Sequence, residues 1–335
     1  MYIKNRTIYS DAEKPFYIFV SDIHGNMHTL PLIRQALEDF PTAQLVGGGD
    51  YIDGRKDSKS VVEYLMDKAN NYGSVILDGN HEELMLNFAN GLDYYDSYVD
   101  PLWYVNGGKT TIRSFFGRGY SVSKAEHLLR RSKFYSFFKN RPVMYVTPHY
   151  IFVHGGIKPV ANFDNVSLYK SNFLDTNLSS YDFYRLWTRK EYWYDTFDVS
   201  NIDKTLKSVT KNKIGTYTVK DSKIKLIRFA HNLTKHTIVT GHTPTAFVEG
   251  MFTDGRVLRK SAISNCHIKV IQYSNEPARI FTDGGCHGTL PHNYGNVTVL
   301  NNQGNIVAVY DFKHPIGVDW ETYVQEIGAE QIFGA

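Results

Sequence analysis

A chain of 335 residues with 42% hydrophobic and 21% charged side chains has the balance of a folded globular protein, which excludes disordered, collagen-like and coiled-coil classes. A net charge of +3 is too small to mark a nucleic-acid-binding surface, and no apolar run approaches the ~20 residues of a membrane-spanning helix. The first residues, Met1 to Arg6, contain no apolar signal core, and the two cysteines, Cys266 and Cys286, suit a reducing compartment, so a cytoplasmic location is expected. Thirteen histidines and an aromatic share of 14% stand out, and only position can say whether the histidines act together.

In chain order, short apolar runs alternate with helical patterns. Phe16 to Val20 reads as a buried strand, followed by Leu30, Ile33, Leu37 and Phe40 at helical spacing. Ala43 to Val46 reads as a second strand, running into Gly47-Gly48-Gly49. Val61, Val62, Leu65, Met66 and Ala69 mark a helix, and Ser74 to Leu77 a third strand. A helix is expected over Glu82 to Asn90, with Gly91 as its stop. Tyr150 to Val153, Thr237 to Thr240, His267 to Tyr273 and Arg279 to Phe281 read as further strands. Val297 to Leu300 and Ile306 to Tyr310 flank a turn-rich segment and form a closing hairpin. No Pro/Gly/Ser-rich linker separates these strands, so one α/β domain over 1–335 is expected, with insertions at about 91–148 and 158–235. The second interval is rich in aromatics (Tyr181 to Phe197) and then in lysine (Lys204 to Lys225).

Five of these strands are followed at once by hard metal-ligand residues. The first gives Ser21-Asp22-Ile23-His24-Gly25, the second Gly49-Asp50-Tyr51-Ile52-Asp53-Gly54-Arg55, and the third Asp78-Gly79-Asn80-His81-Glu82. His154-Gly155-Gly156 and Gly241-His242-Thr243 follow the other two. Ligands gather at the carboxyl ends of strands in open α/β folds, and the 28 residues from Asp22 to Asp50 and 30 from Asp50 to Asn80 each suit one βαβ unit. A single Asp-x-His carries little information, but five such elements in register with five strands carry a great deal.

On these blocks the chain resembles the phosphoprotein phosphatase family of calcineurin-like metallophosphoesterases, nearest the bacterial and phage serine/threonine phosphatases and the diadenosine tetraphosphate hydrolases. The segment Asp283 to Leu290 resembles a further block of the bacterial and phage members. The resemblance implies a four-layer α/β/β/α sandwich and two divalent metal ions, with Mn²⁺ favoured and Fe or Zn as alternatives. Carried over residue by residue, Asp22 and His24 would hold one metal, Asp50 would bridge, and Asn80, His154 and His242 would complete the other. His81 would be the general acid, oriented by Asp53. Arg55 and Arg189 would grip phosphate, with Arg185 and Lys190 as rivals to Arg189. The chain departs from the family in two places: Ser21 replaces the first glycine, and Asp53-Gly54-Arg55 stands where the family has Asp-Arg-Gly.

The reaction implied is metal-dependent phosphomonoester hydrolysis by in-line water attack, with phosphoserine or phosphothreonine proteins as the leading substrates. A dinucleoside tetraphosphate or other nucleotide hydrolase is the alternative, and a nuclease or non-catalytic binding protein ranks lower. The nuclease branch typically carries Gly-His-x-His, whereas this chain reads Gly241-His242-Thr243-Pro244. Neither membrane nor nucleic acid is an expected partner. The two cysteines are expected to be structural. The eight histidines outside the blocks are read as ordinary, while His287, inside the 283–290 block, could line the site and is left undecided.

Overall fold

The computed structural model describes residues 1–93, 100–157, 184–189, 209–211, 217–219, 232, 234–245, 248, 267–273, 275–287, 295–327 and 332–334. In chain order the elements begin with β1 (Tyr2–Lys4), β2 (Thr7–Tyr9), β3 (Phe16–Val20), α1 (Thr29–Asp39), β4 (Gln44–Gly47), α2 (Ser58–Tyr72), β5 (Val75–Ile76) and α3 (Asn80–Ala89). A kinked turn (Tyr104–Gly108) then leads into α4 (Lys109–Phe116), α5 (Val122–Arg130), α6 (Lys133–Phe138), β6 (Met144–Val146) and β7 (Tyr150–Val153). The remainder comprises β8 (Val209–Lys211), β9 (Tyr217–Val219), β10 (Thr237–Thr240), β11 (Lys269–Tyr273), β12 (Arg279–Phe281), β13 (Asn296–Asn301) and β14 (Ile306–Asp311), then β15 (Val318–Asp319), α7 (Trp320–Ile327) and β16 (Ile332–Gly334). No helix among the described residues is long and apolar enough to cross a membrane.

Two sheets face each other, as the α/β sandwich expected from the sequence requires. One is six-stranded in the order β15-β14-β13-β3-β4-β5, the other eight-stranded in the order β1-β2-β6-β7-β10-β12-β11-β16, while β8 and β9 pair separately. Side-chain alternation in β3 explains the layering. Tyr17 and Phe19 point between the sheets with Val46, Tyr145, Phe152, Val239 and Ile280. Ile18 and Val20 point the other way, into a core shared with Leu30, Ile33, Val62 and Leu65 of α1 and α2. A strand buried on both faces therefore reads as a continuous apolar run.

Parallel β3, β4 and β5 are joined by α1 and α2, and in the other sheet β7, β10 and β12 are parallel neighbours. This arrangement collects the carboxyl ends of all six strands, and the polar loops that follow them, at one edge of the sandwich. Several boundaries shift from expectation. The β5 ladder is only two residues long, although Leu77 N still donates to Gly47 O at 3.0 Å. Strand β11 starts at Lys269 rather than His267. Helix α3 starts at Asn80, two residues before the expected Glu82, because Glu82 reaches back to accept from Gly79 N at 2.9 Å, as a third-position helical glutamate does.

The described part of the 91–148 interval is not merely laid over the core. Ile112, Phe115, Leu129, Phe134 and Phe138 of α4–α6 join the same buried cluster as α1–α3. Most of the 158–235 interval, including the lysine-rich stretch, lies outside the described residues.

Phe152 sits at the centre of the inter-sheet cluster, its ring centroid 5.1–5.8 Å from those of Tyr17, Phe19, Tyr145 and Tyr150. Replacing it by alanine leaves a cavity between two sheets that cannot close independently. Phe152→Ala is expected to lower stability by about 3–5 kcal/mol in urea unfolding followed by circular dichroism. A loss under about 1 kcal/mol would show that the sheets are not held by this cluster.

Candidate metal centre

The loops after β3, β4 and α3's preceding strand are zipped together before any side chain is considered. Asp22 N donates to Gly49 O (2.9 Å), His24 N to Asp50 O (3.0 Å) and Gly25 N to Tyr51 O (2.8 Å). The buried Glu82 carboxylate ties in the third loop, accepting from Asp50 N at 2.8 Å, Tyr51 N at 2.9 Å and Gly79 N at 2.9 Å. Burial and the Asp50 charge push the Glu82 carboxyl up to about 7, against the pull of those three N–H donors. Two glycines are fixed by close approach: a Cβ on Gly79 would overlap the Asp50 carboxylate, and one on Gly241 would overlap that of Asp22. Five of the eight non-glycine residues with positive φ among the described residues are Asp22, His24, Asp50, Asp53 and His242. Backbone strain is thus concentrated at one place, as it is at functional sites.

The side chains so placed form two adjoining groups that share Asp50. Ligand-type atoms of Asp22, His24 and Asp50 all lie within 4.8 Å of one another, and so do those of Asp50, His154 and His242. In the second group His154 Nε2 is 2.9 Å from Asn80 Oδ1, 3.2 Å from His242 Nδ1 and 3.3 Å from Asp50 Oδ2. All six sequence-predicted ligands are therefore brought together, and all are buried.

The hydrogen-bond chemistry fits a cation. His24 Nδ1 is 3.0 Å from Ile52 O, and His154 Nδ1 is 2.8 Å from Gly48 O. Carbonyls only accept, so each Nδ1 carries the proton and each Nε2 presents a lone pair to the site when the ring is neutral. In the second group the His154 Nε2 lone pair, the Asn80 amide oxygen and the Asp50 carboxylate face one another beside His242 Nδ1, an arrangement that a positive charge relieves. Without a metal that charge falls to a proton. Burial pulls His154 down, yet Asp50 and Asp22 outweigh it and move the ring up to about 9. His24 and His242 are driven well below the usual histidine range, chiefly by burial and then by neighbouring histidines, which keeps them in the neutral form a metal needs. Asp50 stays well below the usual carboxylate range because His154 and His81 overcome its burial, whereas Asp22 is raised to about 6 by burial and by Asp50.

Beside this centre stands a His–Asp pair. His81 Nδ1 is 2.7 Å from Asp53 Oδ2, and His81 Nε2 lies 3.9 Å from Asp50 Oδ2. Asp53 is itself fully held: Trp103 Nε1 donates to Oδ2 at 2.9 Å, Thr111 Oγ1 donates to Oδ1 at 2.5 Å, and Asp53 N donates to Thr111 Oγ1 at 2.9 Å. Burial alone would lower the His81 imidazolium, but Asp50 and Asp53 raise it to about 9.

The arginines are placed differently. Arg189 is exposed, and its Nη1 donates to His242 O at 2.8 Å, beside the second group. The rival Arg185 is buried and turned away, with Nη1 donating to Asn5 O at 3.0 Å. The other rival, Lys190, lies outside the described residues. Arg55 Nε donates to Cys286 O at 3.2 Å, tying it to the loop after β12. Cys286 is buried and its thiol is pushed up to about 12 by burial, which suits a structural rather than a nucleophilic role. Cys266 lies outside the described residues.

Sequence reasoning missed four contributors. Trp103 and Thr111 come from the 91–148 interval, and Glu82 stood inside a recognised block without a role. His287, left undecided by sequence, packs against the site with its ring centroid 4.6 Å from that of His24 and 5.0 Å from that of His81. Its position in the 283–290 block was the one available signal. Asp283, also in that block, is buried beside Asp22, and burial and that neighbour raise it well above the carboxylate range. Of the remaining histidines, His149 pairs with Glu13 and His314 with Asp311 and Glu326, while His231 and His292 lie outside the described residues.

Six residues able to ligate metal, in two groups sharing a carboxylate at one edge of a two-sheet α/β sandwich, fit a metal-dependent hydrolase of phosphoric esters. The chain belongs to the calcineurin-like phosphoesterase family, whose sequence profile matches residues 17–246 and whose members bind paired divalent metals. No curated protein sequence matches it. Among solved structures it is similar to a putative diadenosine tetraphosphatase, at 15% identity and TM-score 0.46, covering 91% of this chain and 97% of that one. It is also similar to a cold-active protein-tyrosine phosphatase of a psychrophile, Shewanella sp., at 18% identity and TM-score 0.41, covering 94% and 82%. A third is a protein serine/threonine phosphatase from Saccharomyces cerevisiae, at 13% identity and TM-score 0.41, covering 88% and 76%. Their differing names do not choose a substrate for this chain.

Because the ligand atoms repel one another until a cation joins them, metal should stabilise the fold. Chelator-treated protein returned to excess Mn²⁺ is expected to melt several degrees higher in scanning calorimetry, the linkage being about 2.7 kcal/mol at 100 times Kd. An unchanged melting temperature would mean that these residues do not take up metal.

Proposed function

We propose that the protein is a phosphomonoester hydrolase whose leading substrates are phosphoserine and phosphothreonine side chains. The observation that carries this reading is the His81–Asp53 pair standing beside two ligand groups that share Asp50. Asp22, His24 and Asp50 would hold one cation, and Asp50, Asn80, His154 and His242 the other, a mixed oxygen and nitrogen donor set that suits Mn²⁺ or Fe, with Zn as an alternative. Two divalent cations held in this way lower the pKa of water and neutralise charge on phosphoryl oxygens during in-line displacement.

The protein's own residues do the rest. Asp53 keeps a proton on His81 Nδ1 and stabilises the imidazolium, so Nε2 has a proton to give. As water adds to phosphorus and the P–O ester bond breaks, that Nε2 proton passes to the leaving oxygen. Thr111 and Trp103 stop Asp53 from rotating away. Arg189, anchored on the His242 carbonyl, brings a fixed positive charge to the rim, where a phosphate dianion can meet it, whereas Arg55, in the loop after β4, donates from Nε to Cys286 O. The substrate is thus a phosphorylated protein or a smaller phosphoester, neither membrane nor nucleic acid is a proposed partner, and the low cysteine content suits the cytoplasm.

The test is a substrate panel with Mn²⁺-loaded protein: p-nitrophenyl phosphate, a phosphoserine peptide and diadenosine tetraphosphate. Turnover of both monoesters is expected. His81→Asn is expected to cost about 10²- to 10⁴-fold in kcat, more on the peptide than on p-nitrophenyl phosphate, whose leaving group needs less help from an acid. Turnover of the dinucleotide alone would overturn the monoesterase reading, and near-full peptide activity in His81→Asn would overturn the acid assignment.

A further inference from the structure

We propose that His287 is a substrate-contacting residue, donating a hydrogen bond to a phosphoryl oxygen, and that Arg55 is the positioning residue that holds His287 in place. The proposal rests on the monoesterase reading only in taking phosphate as the ligand of this site.

The starting observation is the order Asp53-Gly54-Arg55. Gly54 has φ +75°, and a Cβ there would lie 3.1 Å from His287 O and 3.4 Å from His24 Cβ. Any side chain at position 54 would therefore press on the backbone of His287. With glycine in that position, the loop after β12 closes down until the His287 ring lies edge-on to His24 at 4.6 Å and tilted over His81 at 5.0 Å. Arg55, one residue later, then turns to that same loop and donates from Nε to Cys286 O. On the other side Gly107 approaches Gly54, where a Cβ would lie 2.8 Å from Gly54 N, and Asn106 O is 3.4 Å from His287 Nε2. Three segments distant in sequence, at 54–55, 106–107 and 286–287, are thus closed around one imidazole.

That imidazole differs from its neighbours. His24, His81 and His154 each have one ring nitrogen pinned by a carbonyl or carboxylate at 2.7–3.0 Å. Among the described residues the His287 ring makes one hydrogen bond, the long one to Asn106 O at 3.4 Å; a carbonyl only accepts, so Nε2 carries the N–H and is held weakly enough to turn to a stronger acceptor. The ring is half-buried, against two imidazoles that face the metal centre. A phosphoryl group whose leaving oxygen reaches His81 must pass beside it. Nothing in the hydrolytic step already described uses His287.

The experiment is calorimetric titration of inorganic phosphate into Mn²⁺-loaded wild type, His287→Ala, Arg55→Ala and the double variant, with metal content and melting temperature measured on each. Loss of one hydrogen bond to a charged oxygen predicts about 10- to 100-fold weaker phosphate binding in His287→Ala, with two metals retained. Arg55→Ala should weaken binding too, but Arg55→Ala added to His287→Ala should change little more, since Arg55 acts through that ring. His287→Gln, which keeps a donor, should recover part of the loss. Phosphate affinity of His287→Ala within twofold of wild type overturns the assignment, and additive effects of the two substitutions overturn the positioning role. Because the probe is phosphate itself, a failure here is separable from a failure of the substrate panel.

Discussion

Everything at the catalytic edge is arranged around one buried carboxylate. Asp50 Oδ2 lies 3.3 Å from His154 Nε2, 3.7 Å from His24 Nε2 and 3.9 Å from His81 Nε2, while Oδ1 accepts from His81 N at 3.0 Å. An anion removed from water is costly unless positive charge or donors surround it. Two imidazoles from different loops, those of His154 and His81, meet that need, and two cations would meet it better. The same carboxylate that would join the cations thus also joins β3, β4, α3 and β7 at their common edge.

Holding such a centre strains the backbone. Asp22, His24, Asp50, Asp53 and His242 all sit in the left-handed region that branched or bulky residues avoid. The neighbouring structure supplies the compensation. Glu82 collects three backbone N–H groups from two loops, Tyr51 Oη donates to Leu77 O at 2.7 Å while accepting from Gly49 N, and Arg6 pairs with Asp78 and Glu83 at 3.1 Å each. The two packed cores beneath, one between the sheets and one under α1–α6, are what keep those loops from relaxing.

Much of this was legible because it is local. A strand that ends in Asp-x-His or Gly-Asp-x-x-Asp announces both its own apolar run and the ligands that its carboxyl end must carry, and βαβ spacing puts those ends side by side. The shortfalls are of another kind. Strands β1 and β15 are short and largely exposed, so no apolar alternation marks them. Trp103 and Thr111 reach Asp53 across 50 and 58 residues, and nothing in their own surroundings says that a buried carboxylate is at the other end. Arg185 and Arg189 are four residues apart and alike in sequence, yet one faces Asn5 and the other His242, a distinction that only the chain's path can make. His287 was visible as a member of a block, but its packing on His24 and His81 depends on a glycine more than two hundred residues away.

The central claim is that Asp50 is shared by two cations. Metal content by plasma mass spectrometry, on dialysed Mn²⁺-loaded wild type and Asp50→Asn, tests it most directly. The account predicts two manganese ions per wild-type chain and a fall to fewer than one in Asp50→Asn, since both sites lose their common anion. Two ions retained in Asp50→Asn, or a single ion in the wild type, would contradict it.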